Sequence, residues 1–350
     1  MSTTETLHED ALAAINDRLA GLKLPTRLLT SHADGAPYDI RAITGKGFGC
    51  FAINDIKRGT RILEESPLLS TPIGFYFHED IKAEFDKLSP TDQALYFSLH
   101  SAHGQNPASW PGHVHPMVAE KGKKRILEQH NARIGKKPSI VSIFQTNCME
   151  KESGAAVYVH ASRFNHACNP NAGFQWNPAI KKETIHAVRD IRAGEEITLS
   201  YCDATQNKAA RLYQLKHYGF VCDCPACADD DDPDSFAAKS AARRYRLSEL
   251  QRELEPVRGW ALHKAGTKDG FAQYLLEYIG LLIEEGDYSG RLSSAYLDLG
   301  LFCESKGDLK MAQQATKKAL KIRLDNMGSD YPDIKDYATV VKRINLAIDE

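Results

Sequence analysis

The 350-residue chain has no surplus of either charge: 44 Lys and Arg stand against 46 Asp and Glu, a formal −2. That balance removes any global reason to bind a nucleic-acid backbone, so no direct nucleic-acid partner is expected. Long apolar runs are missing as well. No stretch approaches the roughly 18 apolar residues that span a bilayer, and no membrane partner is expected. The N-terminal "MSTTETLHEDALAAINDRL" lacks an apolar h-region and carries Glu5, Glu9 and Asp10, so it does not read as a secretory signal. The expected setting is intracellular, cytoplasmic and/or nuclear. "EKGKKR" (120–125) reads as surface lysines in preference to a nuclear address. The rest of the composition, 26% charged and 42% hydrophobic, is that of a soluble globular protein with room for one large and one smaller domain.

Disulfides are not expected either. Three of the eight cysteines crowd into "CDCPAC" as Cys222, Cys224 and Cys227. Neighbours at CxC spacing bridge each other only with strain, and in a reducing compartment such crowding favours metal. Three thiolates supply three of the four ligands of tetrahedral zinc. Spacing does not choose the fourth, although Cys168, in an Asn/Pro turn read as exposed and rigid, is the best local candidate. Three unliganded thiols are the alternative. No water-activating neighbour stands out, so the zinc would be structural. The scattered cysteines at 50, 148, 168, 202 and 303 read mostly as small buried hydrophobes.

Residues 7–24 carry an amphipathic helical pattern that Pro25 stops, within an N-terminal unit 1–34. A β-like stretch with glycines at 45, 47, 49 and 59 follows. From Phe75 to about Asn147 the pattern is mostly helical, with one helix opening at Ser89 and Pro90. These residues belong to a helical insert, 72–154. Within it "HSAHGQNPASWPGHVHP" is a loop, and His100, His103, His113 and His115 read as surface histidines in preference to a metal set. Short strands return at 155–162, 172–178, 181–191 and 195–201, and a polar helix, "NKAARLYQLKHY", leads into the cysteines. "DDDDPD" (229–234) reads as a solvated linker, with a domain boundary near 230. Residues 235–350 are helical throughout. In 293–320, Leu299, Gly300, Ala312 and Ala319 fall at the contact positions of a tetratricopeptide-type hairpin; a generic helical hairpin fits equally, and either is an all-helical appendage.

Three motifs carry chemistry. "GKGFG" (45–49) is either a plain β-turn or a place where backbone approaches a ligand; no helix follows it, so neither dinucleotide fingerprint nor P-loop fits. "SRFNHACNPN" (162–171) suits neither helix nor strand, and is either a surface turn or a loop whose side chains hold something. "RDIRAGEEITLSY" turns between Asp190 and Glu196 and ends in Tyr201, either a core tyrosine or a hydroxyl at a reacting centre.

Taken in order, "GKGFGCFA", "SRFNHACNPN", "GEEITLSY" and "YGFVCDCPAC" resemble the SET-domain protein lysine methyltransferases over roughly residues 35–228. The CxCxxC form, the insert and the helical C-terminal part are most similar to the SMYD-type subgroup. The MYND zinc finger of that subgroup would interrupt residues 70–75, where no cysteine cluster occurs, so the chain looks like a MYND-less, fungal-type relative.

The resemblance implies an α+β protein: a β-rich SET fold of small sheets around a pseudoknot-like core (35–228), the insert, a zinc-bound post-SET segment (212–228) and an all-α domain (235–350). It implies transfer of a methyl group from S-adenosyl-L-methionine to a lysine amine of a protein substrate, histone or non-histone, by a monomer. Lys46, Gly47, Phe48, Asn147, Asn165, His166, Tyr201 and Phe220 match cofactor contacts, with Tyr201 also the catalytic tyrosine. Tyr158, Ser162 and Tyr218 would line the lysine channel, and Cys168 would join Cys222, Cys224 and Cys227 on zinc. Two alternatives stay open: an inactive protein-binding module, against which the presence of Asn165, His166 and Tyr201 argues, and a methyltransferase for a non-lysine acceptor, whose signature would lie in the insert.

Overall fold

In the computed structural model, residues 35–44, 46–110, 113–228, 232–261 and 270–349 are described, and the side chains of 255–261 are left aside. The N-terminal helix expected over 7–24 and the first acids of the linker lie outside these residues.

Strands β1 (Tyr38–Ile43) and β2 (Gly47–Ala52) form an antiparallel hairpin with Ile43 opposite Gly47. Gly47 has φ +78°, a left-handed backbone that glycine adopts without penalty. Strands β3 (Arg61–Glu65) and β4 (Leu69–Thr71) follow. The insert then supplies helices α1 (His78–Phe85), α2 (Pro90–Phe97), α3 (Glu120–Ile134) and α4 (Ile140–Asn147). The hydroxyl of Ser89 caps α2 by accepting from the Asp92 amide, as the Ser-Pro start predicts. Phe85, Tyr96, Ile143 and Phe144 fill the insert's own core.

The helical part of the insert closes at Asn147, where the sequence pattern ends it. Strands β5 (Cys148–Lys151) and β6 (Gly154–Val157) return the chain to β4, giving the sheet order β4-β6-β5. A Cβ on Gly154 would lie 2.1 Å from the Thr71 carbonyl oxygen, so only glycine permits this approach. The strand expected over 155–162 stops at Val157. Its successor residues turn because the Glu65 carboxylate collects the amides of Val159, His160 and Ala161 at 2.9–3.0 Å.

Strand β7 (Asn165–His166) is followed by β8 (Ala172–Asn177), β9 (Lys182–Ala187) and β10 (Glu196–Leu199). One sheet has the order β1-β2-β10-β7 and another β3-β9-β8. The two-residue pairing of β7 with β10 is parallel, Asn165 beside Thr198 and His166 beside Leu199. It crosses chain segments that a hairpin would have kept apart. Tyr38, Tyr158, Phe164, Ile185 and Ile197 pack beneath these sheets.

Helix α5 (Lys208–Leu215) and a short 3-10 turn to Tyr218 lead to the cysteines. The C-terminal part consists of α6 (Phe236–Ala261), α7 (Phe271–Glu285), α8 (Gly290–Ser305), α9 (Leu309–Met327) and α10 (Ile334–Asp349). Helices α8 and α9 form the expected hairpin. A Cβ on Gly300 would meet Thr316 at 2.4 Å, and Ala312 and Ala319 are fully buried. This region is no appendage. Arg58 pairs with Asp325 at 3.1 Å, Arg61 with Asp330, and Asn177 donates to Asp330 at 3.1 Å, so α9 and the turn after it are seated on the sheet of β3, β8 and β9. No described helix is long and apolar enough to cross a membrane.

Candidate active site

Where β7 meets β10, the side chains of the quoted motifs converge. The Asn165 amide donates to the Phe48 carbonyl at 3.0 Å and to Glu196 at 2.8 Å. That approach requires Gly49: a Cβ there would stand 2.8 Å from the Asn165 amide nitrogen and 2.7 Å from Glu196. Beside it, Gly47 faces open space and Phe48 is exposed, a backbone cradle with an apolar rim. Lys46 pairs with Asp223 at 2.7 Å, which joins the glycine turn to the cysteine segment. These residues suit S-adenosylmethionine, which needs close backbone approach, amide donors and an aromatic surface.

His166 and Tyr201 face each other next to the cradle. The Nδ1 of His166 accepts from the Tyr201 amide at 3.0 Å, so in the neutral imidazole Nε2 carries the proton; it lies 3.3 Å from the Cys168 sulfur. The Tyr201 hydroxyl donates to the Phe164 carbonyl at 2.5 Å, and burial pushes its pKa up, so it stays a neutral phenol. Tyr218 packs against Tyr201 with centroids 4.9 Å apart, and Phe220 lies 6.1 Å from His166 and 6.5 Å from Tyr201. Four rings from three distant stretches thus make one box.

The four cysteines come together. The sulfurs of Cys168, Cys222, Cys224 and Cys227 all lie within 4.8 Å of one another, close to the roughly 3.8 Å edge of a tetrahedron with Zn–S bonds of about 2.3 Å. Cys168 is buried, not exposed as its turn suggested, because Leu215 and Ala226 pack around the cluster. Arg211 supplies a second indication that sequence reading missed. Its guanidinium is buried and donates to the sulfurs of Cys168 at 3.2 Å and Cys227 at 3.5 Å. A buried cation needs an anion, and thiolates on zinc provide it. The histidines of the insert loop take part in no group of three metal-ligating side chains among the described residues.

Three sequence-predicted residues sit differently from expectation. Tyr158 is fully buried in the core with its hydroxyl near the Glu183 carboxyl, not along an open channel, because it follows the inward-facing end of β6. Ser162 gives its hydroxyl to the Tyr158 carbonyl. Asn147 spends both amide hydrogens on the carbonyls of His100 and Ile143, each at 2.7 Å, leaving only its own oxygen for a ligand. Sequence reading also missed Arg244 of α6, which donates to the Cys168 carbonyl at 2.8 Å; a lone arginine in a helix gives no local signal.

The comparisons agree with this geometry. Residues 47–202 match the family model described as the SET domain. The chain is 28% identical over 287 residues to "Histone-lysine N-methyltransferase set5" of Schizosaccharomyces pombe, covering 81% of this chain and 77% of that protein. It is 29% identical over 202 residues to a "Putative SET domain-containing protein" of Acanthamoeba polyphaga mimivirus, covering 54% of this chain and 76% of that protein. Against "Protein-lysine N-trimethyltransferase SMYD5" of Gallus gallus the identity is 35% over 123 residues, 31% of this chain and 29% of that protein. The glycine turn, the Asn165–His166 pair and Tyr201 all lie within reach of one another inside or at the edge of the matched segment, and residues 47–202 are a SET domain with homology to the Set5 and SMYD proteins.

Proposed function

We infer that the protein transfers the methyl group of S-adenosylmethionine to the side-chain amine of a lysine in a protein substrate. The observation that carries this is the neutral Tyr201 phenol, anchored on the Phe164 carbonyl and walled by Tyr218, His166 and Phe220 at the β7–β10 crossing. Lys46, Gly47, Phe48, Asn165 and His166 would hold the cofactor, which supplies an already activated sulfonium methyl.

The chain's task is therefore alignment, desolvation and deprotonation of the amine. A free lysine has a pKa near about 10.4, so at pH 7 only about four amines in ten thousand are neutral. Burial in a narrow channel beside Tyr201 and Tyr218 disfavours the ammonium form by desolvation, and a cationic cofactor there adds like-charge repulsion. With its own proton held by Phe164, the Tyr201 oxygen keeps lone pairs to accept weak hydrogen bonds from a polarised methyl. Cys168, Cys222, Cys224 and Cys227 would hold zinc as a structural pin for Tyr218 and Phe220.

The test is methyl-label transfer from S-adenosylmethionine to a protein extract, with Tyr201→Phe as the control. Transfer should fall by about 100-fold while cofactor binding by calorimetry stays within about two-fold. Full transfer by the variant would remove Tyr201 from its role; no transfer by the wild type would leave a binding module.

A further inference from the structure

The insert loop, which the sequence offers as an irregular loop with surface histidines, is fastened to the segment that walls the aromatic box. Gln105 donates from its side chain to the Ala102 carbonyl at 2.9 Å and the His217 carbonyl at 3.3 Å. Its own oxygen accepts the Trp110 indole proton at 3.1 Å. The Lys216 ammonium donates to the Ser109 carbonyl. The Gly104 and Gln105 amides bind the carbonyls of Gly135 and Arg133 at 2.8 and 3.0 Å, which ties the loop to the end of α3.

Two cations lie against one ring in this knot. Arg133 lies 4.9 Å and Lys216 4.4 Å from the centroid of the Trp110 ring, and His217 stacks 5.1 Å from it. Tyr218, one residue on, packs against Tyr201. Among the described residues neither Arg133 nor Lys216 forms a salt bridge with a carboxylate, and Arg133 leaves a buried guanidinium nitrogen without a partner. Burial, together with the charges of Arg133 and Lys216, pushes His217 down to about 4, and burial with His103 and Arg163 lowers His100.

We propose that Arg133 and Lys216, held on Trp110 by the insert loop, form a cationic rim beside the lysine channel that selects protein segments with Asp or Glu flanking the target lysine. The proposal rests on the transferase reading of the same site. A lysine entering the box brings its neighbouring residues against this rim, so flanking carboxylates meet cations that no described carboxylate neutralises, and flanking Lys or Arg meet repulsion. Specificity would then come as much from the rejected basic flank as from the accepted acidic one.

The experiment uses the full chain and two lysine-centred peptide libraries, one with Glu and one with Arg at the flanking positions, each read by methyl-label transfer. The wild type should favour the Glu library by about ten-fold in kcat/KM, the scale of one or two partly screened charge pairs. Lys216→Glu, and separately 0.5 M salt on the wild type, should level the two libraries. The salt arm keeps the test independent of whether a charge-reversed variant folds. Equal labelling by the wild type, or a ratio that both salt and Lys216→Glu leave unchanged, overturns the rim. Equal labelling together with binding of a single-stranded RNA oligonucleotide would assign these cations to nucleic acid instead. Failure to label either library while the same protein labels an extract overturns the flank rule alone; failure on all three overturns the transferase reading and the rim with it.

Discussion

Arg244 donates to the Cys168 carbonyl across 2.8 Å, and through the same guanidinium it meets Glu285 at 2.8 Å. Helix α6, outside the SET domain, thereby holds the loop that carries Asn165, His166 and a cysteine of the cluster. Arg244→Ala should destabilise the protein by about 3 kcal/mol, since it leaves the buried Glu285 with Arg243 and the Ser240 hydroxyl but one cation fewer. Zinc should also leave faster in the presence of a chelator. Arg243→Ala is the comparison, because Arg243 contacts Glu285 but not the Cys168 carbonyl; equal zinc-loss rates in the two variants would break the link.

Metal analysis of the purified protein should find one zinc per chain, and Cys224→Ser should lower that content and the melting temperature together. The second effect follows from Arg211, whose buried charge faces thiolates that no metal would then fix in place. A metal-free wild type with an unchanged melting curve would refute the site.

Gly49→Ala puts a methyl group 2.6 Å from the Ile43 side chain, 2.7 Å from Glu196 and 2.8 Å from Asn165. Overpacking of this kind costs about 1–3 kcal/mol and here falls on the Asn165–Glu196 bond. Calorimetry should show S-adenosylmethionine binding weakened by about ten-fold with the circular dichroism spectrum preserved. Unchanged affinity would separate Asn165 from the cofactor.

Glu183 sits opposite Glu65 on paired strands, fully buried, and burial pushes its pKa from the ordinary 4.5 up to about 8. The unfolded chain therefore releases this proton before the folded protein does, so stability is lost as pH rises from about 4.5 to about 8. Glu183→Gln should remove that contribution. The melting temperature of the variant minus that of the wild type should grow steadily from pH 5 to pH 8, and a constant difference would place the titration elsewhere.

The motifs were legible because backbone demands dictate their residue types. Only glycine serves at Gly47 and Gly49, and only thiols at the cysteine cluster. Strands β8, β9 and β10, the start of α2 and the α8–α9 hairpin follow for similar local reasons. What stayed hidden depends on partners far along the chain. Arg61 and Asp330 are separated by 269 positions, and nothing near either announces the other. The early end of β6 was hidden in the same way, since the carboxylate that causes it belongs to Glu65, 94 positions before Val159. Tyr158 shows the limit of carrying a role across by motif alone: its neighbours place it, and they lie in the core.

The parallel crossing of β7 and β10 also sets a schedule for the nascent chain. Lys46 and Asp223 stand 177 residues apart, so at about 5–20 residues per second the glycine turn is synthesised roughly 9–35 seconds before its partner. Until Glu196–Leu199 are made, late in that interval, β2 has β1 on one side and an open edge on the other, because β10 does not yet exist. Arg244 arrives later still. A chain truncated just after Cys227 would contain every recognised motif and yet lack the helix that ties Cys168 in place.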